Sequence, residues 1–389
     1  MQEILALQPP VSWARTDETL PGAPPGRRAP LRVALVQHRW HEDPARTESE
    51  LEDGIRRAAA RGARVVFLPE LTLSRYPADT LPDYTPSSIA EDLETGPTLA
   101  FARRAAKAHG ICVHASLYRK AQHGPRDGSD PGDGLGYNTA ILVGPDGTLL
   151  AATDKLHIPV TEGYYEDRFF RPGPETGSPY PVHSPAELGG ARIGLPTCWD
   201  EWFPELARVY SLAGAEILAY PTAIGSEPGH PDFDTEPLWR QVIVGNGIAN
   251  GMFMVVPNRW GSEGLVTFYG SSFISDPYGR ILVRAPREGS CVLVADLDLD
   301  ARRDWLTLFP FLTTRRPETY AALTAPVTPS RPFGGPRQGE AHEGEAHDAG
   351  HAPSSPVPPS AAAGTAHDAG RAPSSSVRPA AHALEGASA

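Results

Sequence analysis

Two short apolar runs, Leu31-Arg-Val-Ala-Leu-Val-Gln37 and Arg64-Val-Val-Phe-Leu68, bracket a segment where Leu51, Ile55 and Ala58 recur at helical spacing. That order reads as a buried strand, a helix and a second buried strand. A helical crossover joins parallel strands, so the chain is expected to start as a βαβ unit of an α/β protein. Thr47 with Glu50 reads as a capping box and Gly62 as the helix stop. In such folds ligands bind beyond the carboxyl ends of the strands. The informative positions are therefore the residues that leave each apolar run.

The alternation continues along the chain. Residues 97–109 read as a helix with Pro97 near its start and Gly110 as its stop, and 111–117 as a strand. Residues 137–143 and 148–153 flank Pro145-Asp-Gly147 as a hairpin. Residues 191–195 form a short strand, 203–213 a helix opened by Pro204 and stopped by Gly214, and 215–221 a strand. A helix over 239–251, beginning nearer Thr235 if that residue caps it, precedes a strand at 252–257. Residues 268–275 and 280–283 pair as a hairpin, 291–296 close the sheet, and 298–305 make a short helix.

The two ends differ from the middle. Residues 1–30 are proline-rich, with charges of both signs, and read as a loosely ordered arm. Residues 121–136, rich in Gly, Asp and Pro, read as a surface loop. From about 325 the chain turns to Ala, Gly, Pro, Ser and His, with a near-copied segment at 346 and 366. Residues 326–389 read as a low-complexity tail with too little apolar surface to fold. Its histidines are read as solvated rather than metal-holding. The folded domain is placed at 31–325.

Net charge is −12 and no basic stripe occurs, which argues against nucleic acid and suits a neutral or cationic small substrate. The three cysteines form no close pair and no zinc spacing, which points to a reducing, cytoplasmic setting and to no metal or other cofactor. No apolar run is long enough to span a membrane, and no signal peptide is read at the N-terminus.

Three strand exits carry chemistry. Glu70 follows Val65-Val-Phe-Leu68, Lys155 follows the second strand of the hairpin, and Cys198 lies between the 191–195 strand and the 203–213 helix. Each has a plain alternative: a capping or solvated Glu, a surface Lys beside His157, an inert core Cys. Together they form a coherent amide-cleaving set. A carboxylate takes the thiol's proton, the thiolate attacks a carbonyl carbon, and an ammonium with the Trp199 N–H steadies the oxyanion. A helix start beside Cys198 is expected to favour thiolate. Glu166 lies among aromatic residues, with Arg168 or Lys155 as candidate partner.

Phe67-Leu-Pro-Glu70, Asp154-Lys-Leu-His-Ile-Pro159 and Thr197-Cys-Trp-Asp-Glu-Trp-Phe-Pro-Glu205 stand in the order and spacing of the nitrilase (carbon–nitrogen hydrolase) superfamily, which the chain resembles from about Leu31 to Ala325. The resemblance implies a four-layer αββα sandwich that assembles as a homodimer or higher oligomer. It implies Glu70 as base, Lys155 as oxyanion stabiliser and Cys198 as nucleophile. It also implies Glu166, in Tyr165-Glu-Asp-Arg-Phe169, as the second glutamate that positions lysine and substrate.

The stretch from Cys198 to Glu205, Tyr220-Pro-Thr-Ala-Ile-Gly-Ser-Glu-Pro228, Asn258-Arg259 and Thr267-Phe-Tyr-Gly-Ser-Ser-Phe273 resemble the branch that hydrolyses N-carbamoylputrescine. Leu71-Thr-Leu-Ser-Arg-Tyr-Pro77 departs from it. Acidic Asp200 and Glu201 after the nucleophile fit a cationic amine tail and repel a carboxylate. They fit equally as caps of the following helix. Glu227, Asp232 and Tyr165 complete the expected substrate contacts. Simple amides, β-ureidopropionates and nitriles are the alternative substrates of the same chemistry, and a non-catalytic binding module is the alternative from another class.

Overall fold

The structure is a computed structural model and describes residues 1–10, 28–122, 134–327 and 332–334. In chain order its elements are β1 (Gln2–Ala6), β2 (Leu31–Gln37), α1 (Pro44–Ala60), β3 (Val65–Phe67), α2 (Pro97–His109), β4 (Cys112–Arg119), β5 (Tyr137–Val143) and β6 (Leu149–Asp154). There follow β7 (Ile193–Gly194), α3 (Pro204–Leu212), β8 (Ile217–Ala219), α4 (Glu236–Asn250), β9 (Phe253–Val256), β10 (Trp260–Glu263), β11 (Val266–Tyr269), β12 (Phe273–Ser275), β13 (Ile281–Arg284), β14 (Cys291–Leu297) and α5 (Asp300–Leu308).

Seven strands form one sheet in the order β1-β14-β2-β3-β4-β5-β6, and five form a second in the order β13-β12-β9-β8-β7. Strand periodicity explains why they stack. On β2, Val33 and Leu35 join the core between the sheets, while Ala34 and Val36 pack under α1 and α2. On β9, Phe253 and Val255 face the first sheet, and Met254 and Val256 face α3 and α4. Both sheets are apolar on both faces, so each needs a helical layer outside it. The result is the expected four-layer αββα sandwich. The expected helices and strands appear, and α2 ends at Gly110 in the left-handed region (φ 66°) as its stop signal predicts.

Several local readings are corrected. Asp43, not Thr47, caps α1: its Oδ1 accepts from the Ala45 N–H at 3.0 Å, with Pro44 in the first turn. Thr47 lies inside the helix and takes the His41 N–H. Residues 2–6 are not loose. They form β1, parallel to β14, because β14 offers an unpaired edge that no local pattern announces. Residues 11–27 of the proposed arm, most of the 121–136 loop and most of the tail lie outside the described residues. The 268–275 run is two strands in different sheets, divided where Gly270 and Ser271 turn left-handed (φ 58° and 57°).

The compact unit ends at Pro317, before the compositional boundary at 325. Composition registers residue type but not burial, and Leu323 in the following unit is 63% exposed. Among the described residues no helix is long and apolar enough to cross a membrane.

Candidate active site

Glu70 lies beyond β3, where the chain must turn off the sheet. Leu71 takes a left-handed conformation (φ 49°), with its N–H on Ser116 Oγ at 3.1 Å and the Thr72 N–H on the Ser116 carbonyl at 2.8 Å. The Glu70 side chain is fully buried. Its Oε1 accepts from Lys155 Nζ at 3.0 Å and from Asn138 Nδ2 at 2.7 Å. Its Oε2 is buried with no hydrogen-bond partner. A buried carboxylate oxygen without a donor is costly, and it leaves a lone pair free to accept a hydrogen bond from a nearby donor.

Lys155 leaves β6 with its N–H on the Asn138 carbonyl at 2.8 Å. At 1% exposure it is not the surface lysine of the alternative reading. Its Nζ reaches Glu166 Oε2 at 2.6 Å as well as Glu70, while Arg168 pairs instead with Asp167. Two of the three ammonium protons are thereby placed, and the third is available to another acceptor. Burial pushes Lys155 toward neutrality, but the carboxylates of Glu166 and Glu70 outweigh it and hold its pKa well above the ordinary value. Glu166 also accepts from Tyr76 Oη at 2.9 Å. Burial, opposed by Lys155 and aided by Glu70, raises its pKa to about 7.

That shift has a stability consequence. Folded Glu166 keeps a proton that the unfolded chain gives up near 4.5, so its contribution is complete below 4.5 and is lost as pH rises through about 7. Relative to wild type, Glu166→Gln is therefore expected to gain stability between pH 4.5 and 7. Thermal denaturation of both proteins across that window checks the sign.

Cys198 opens a single 3-10 turn, Cys198–Trp202, in a strained left-handed conformation (φ 43°), with its N–H held by the Pro221 carbonyl at 3.0 Å. It is 5% exposed. Burial raises its pKa well above the usual thiol value, Glu70 adds to the rise, and Lys155 opposes it. The expected dipole effect is overruled. A five-residue turn aligns few peptide dipoles, and burial beside carboxylates penalises thiolate more. The resting form is the thiol, and its deprotonation needs an acceptor. Cys112 and Cys291, which burial pushes up to about 12, are core residues as expected.

A cavity of about 250 Å³ opens over Cys198. Its walls are mostly apolar, with Trp199, Trp202, Ile224 and Leu238, and its acidic groups are Glu166 and Glu227. Among the described residues no Arg, Lys or His lines it. Glu227 accepts from Thr235 Oγ1 at 3.3 Å, and burial raises its pKa.

Four of the expected substrate contacts do not line this cavity. Asp200 turns inward to take the Thr197 and His157 N–H groups at 3.0 and 2.9 Å and His157 Nδ1 at 2.7 Å. Glu201 is buried against Trp239 Nε1 at 2.5 Å and Thr222 Oγ1 at 3.4 Å. Both brace the nucleophile turn from behind. Tyr164, not Tyr165, lines the cavity; its hydroxyl bridges the Ser226 carbonyl and the Gly225 N–H, each at 3.0 Å. Asp232 lines a larger outer cleft of about 630 Å³. Cys198 lines the smaller cavity and not that cleft, so the smaller cavity is the site the chemistry selects.

Sequence reasoning missed Asn138 and Tyr76. Asn138 is an amide, next to Thr139, in a strand whose remainder from Ala140 to Val143 is apolar, and that amide was the signal. Tyr76 carries no comparable mark.

Comparison with known proteins identifies relatives of this chain. The sequence profile of the family described as carbon-nitrogen hydrolase matches residues 32–306. An N-carbamoylputrescine amidase of Arabidopsis thaliana is 34% identical over 307 residues, covering 77% of this chain and 96% of its own. A citrullinase of Francisella tularensis is 33% identical over 296 residues, covering 75% and 97%. The crystal structure of a carbon-nitrogen hydrolase from Helicobacter pylori superposes with a TM-score of 0.65 at 28% identity, covering 76% and 98%.

Proposed function

The chain belongs to the carbon–nitrogen hydrolase family of the nitrilase superfamily, and from that premise we propose that it hydrolyses an N-carbamoyl amine, N-carbamoylputrescine first among them. The observation that carries the substrate is the cavity over Cys198: apolar walls, the carboxylate of Glu227, and no cationic side chain among the described residues that line it. A tetramethylene chain suits those walls and a terminal ammonium suits Glu227. A substrate carboxylate would meet only Glu166 and Glu227, a repulsive arrangement. That separates carbamoylputrescine from citrulline, which carries the same ureido arm with a carboxylate at the far end, and from N-carbamoyl-β-alanine.

In this reading Glu70 Oε2 takes the Cys198 proton as Sγ attacks the ureido carbonyl carbon. The third Lys155 proton and the Trp199 N–H hold the oxyanion. Collapse of the tetrahedral adduct breaks a C–N bond, with Glu70 returning the proton to the leaving nitrogen. Glu166 and Tyr76 keep Lys155 in place. Water, deprotonated by Glu70, then releases the acyl group from sulfur, and the overall products are the amine, carbon dioxide and ammonia. Simple aliphatic amides use the same machinery without needing Glu227. Three free thiols among the described residues suit a reducing cytoplasm. Exposed Val209 and Leu212 on α3 support assembly into a homodimer or larger oligomer, which light scattering tests.

Ammonia release from N-carbamoylputrescine, citrulline, N-carbamoyl-β-alanine and a simple aliphatic amide tests the reading, and preference for a carboxylate-bearing member overturns it. Glu227→Gln is expected to raise KM for carbamoylputrescine roughly tenfold to a hundredfold through one lost charged contact, and to leave the uncharged amide unaffected. Because burial raises the Glu227 pKa, KM for the cationic substrate should rise as pH falls and Glu227 protonates. In Glu227→Gln that dependence should vanish.

A further inference from the structure

The mechanism leaves unused a fully buried guanidinium. Arg259 follows β9, is wholly inaccessible, and pairs with Glu263 on β10 through two contacts of 2.8 Å from Nη1. Its other donors point at one stretch of backbone far away in sequence. Nε and Nη2 reach the Glu70 carbonyl at 3.1 and 2.9 Å, and Nη2 also reaches the Leu71 and Ser74 carbonyls at 2.5 and 2.6 Å. Every nitrogen of the fork is engaged. The same Glu263 takes the Tyr76 N–H at 2.9 Å, and Tyr76 donates in turn to Glu166.

The gripped segment is the one that needs holding. Leu71 is left-handed, a conformation that is unfavourable for a non-glycine residue and persists only where surroundings over-determine it. A relaxed turn would swing Glu70 off the bearing that leaves Oε2 unpaired. A buried ion pair adds little net stability over apolar residues of equal volume, whereas a planar fork fixes several acceptors at once.

We propose that the Arg259–Glu263 pair is a positioning device for the reaction: it clamps the left-handed turn at residues 70–74 and so sets the Glu70 carboxylate relative to Cys198. The inference rests on the reading of Glu70 as the base, and the experiment below separates the two. Arg259 acts through Glu70 and touches no reacting atom.

The test reads the Cys198 thiol with methyl methanethiosulfonate, a small neutral probe without a C–N bond, as modification rate against pH, mapped by peptide mass. The charged groups acting on that thiol are Glu70, Lys155, Glu201 and Glu166. Removing the Glu70 charge in Glu70→Gln should lower the midpoint by about one pH unit or more. Arg259→Lys keeps a cation for Glu263 but cannot hold three carbonyls. It should move the midpoint in the same direction, and the double variant should match Glu70→Gln alone. In ammonia release, kcat of Arg259→Lys should fall about a hundredfold with KM within about twofold, as expected for a misplaced reacting group. Glu263→Gln should reproduce both effects, and it carries the comparison should Arg259→Lys fold poorly. A normal profile in Arg259→Lys and Glu263→Gln beside a shifted Glu70→Gln overturns the clamp. So does a shift that adds to that of Glu70→Gln. A normal profile in Glu70→Gln removes Glu70 from the thiol and takes both readings with it.

Discussion

Cys198→Ala is expected to abolish ammonia release, by roughly 10⁴-fold or more, with binding and fold retained. The size follows from the route: without sulfur there is no covalent adduct, and the other groups have nothing to activate. Little structural cost is expected, because alanine removes one buried sulfur while the turn stays held by the Cys198 N–H on the Pro221 carbonyl. Alanine inherits the strained φ of 43° and does not worsen it. Loss of turnover with an unchanged melting transition and an unchanged substrate affinity is the expected pattern. Turnover that persists in the alanine variant would refute a cysteine mechanism outright.

Lys155→Met should be damaging in two separable ways. Removing an oxyanion donor costs roughly 10²–10³ in kcat. The variant also leaves Glu70 and Glu166 buried together without the ammonium that joins them at 3.0 and 2.6 Å. Breaking a buried pair in this way costs about 3–5 kcal/mol, because the orphaned charge cannot regain water. Two carboxylates left in one site cannot both stay ionised, so one must carry a raised pKa. The stability deficit of Lys155→Met should then shrink at acid pH and grow as pH rises. Adding Glu166→Gln removes one of the like charges, and the double variant should recover much of the stability and none of the activity. Urea denaturation at two pH values, alongside ammonia release, distinguishes the losses. A stability deficit indifferent to both pH and the second substitution would mean that the lysine stabilises by packing its stem.

These effects converge on three side chains that were visible before any coordinates, each at the exit of an apolar run. Strand patterns are local: alternation or an unbroken apolar stretch can be read within a few residues, and the residue leaving the sheet is then known. The helices of the outer layers were legible for the same reason, down to the glycine after α2. The motifs around Glu70, Lys155 and Cys198 also carried a family resemblance, and through it the four layers and the expectation for Glu166. Legibility failed where the deciding partner lay elsewhere in the chain. Asp200 and Glu201 are acidic whether they face a ligand or a backbone amide. Their turn toward His157 and Trp239 depends on residues 43 and 38 positions away.

What the sequence determined alone was the α/β alternation and the residue types standing at the strand exits, because both are set by short-range pattern and by covalent order. Tertiary structure decided how those residues are charged and aimed. It put Asn138 on Glu70 across 68 positions, Lys155 on the same oxygen across 85, and Arg259 on its carbonyl across 189. It also paired residues 2–6 with β14 and divided the 268–275 run between two sheets. The physical reason is common to all of them. Desolvation and hydrogen bonding act between groups that packing brings together, and no window along the chain contains both members of such a pair.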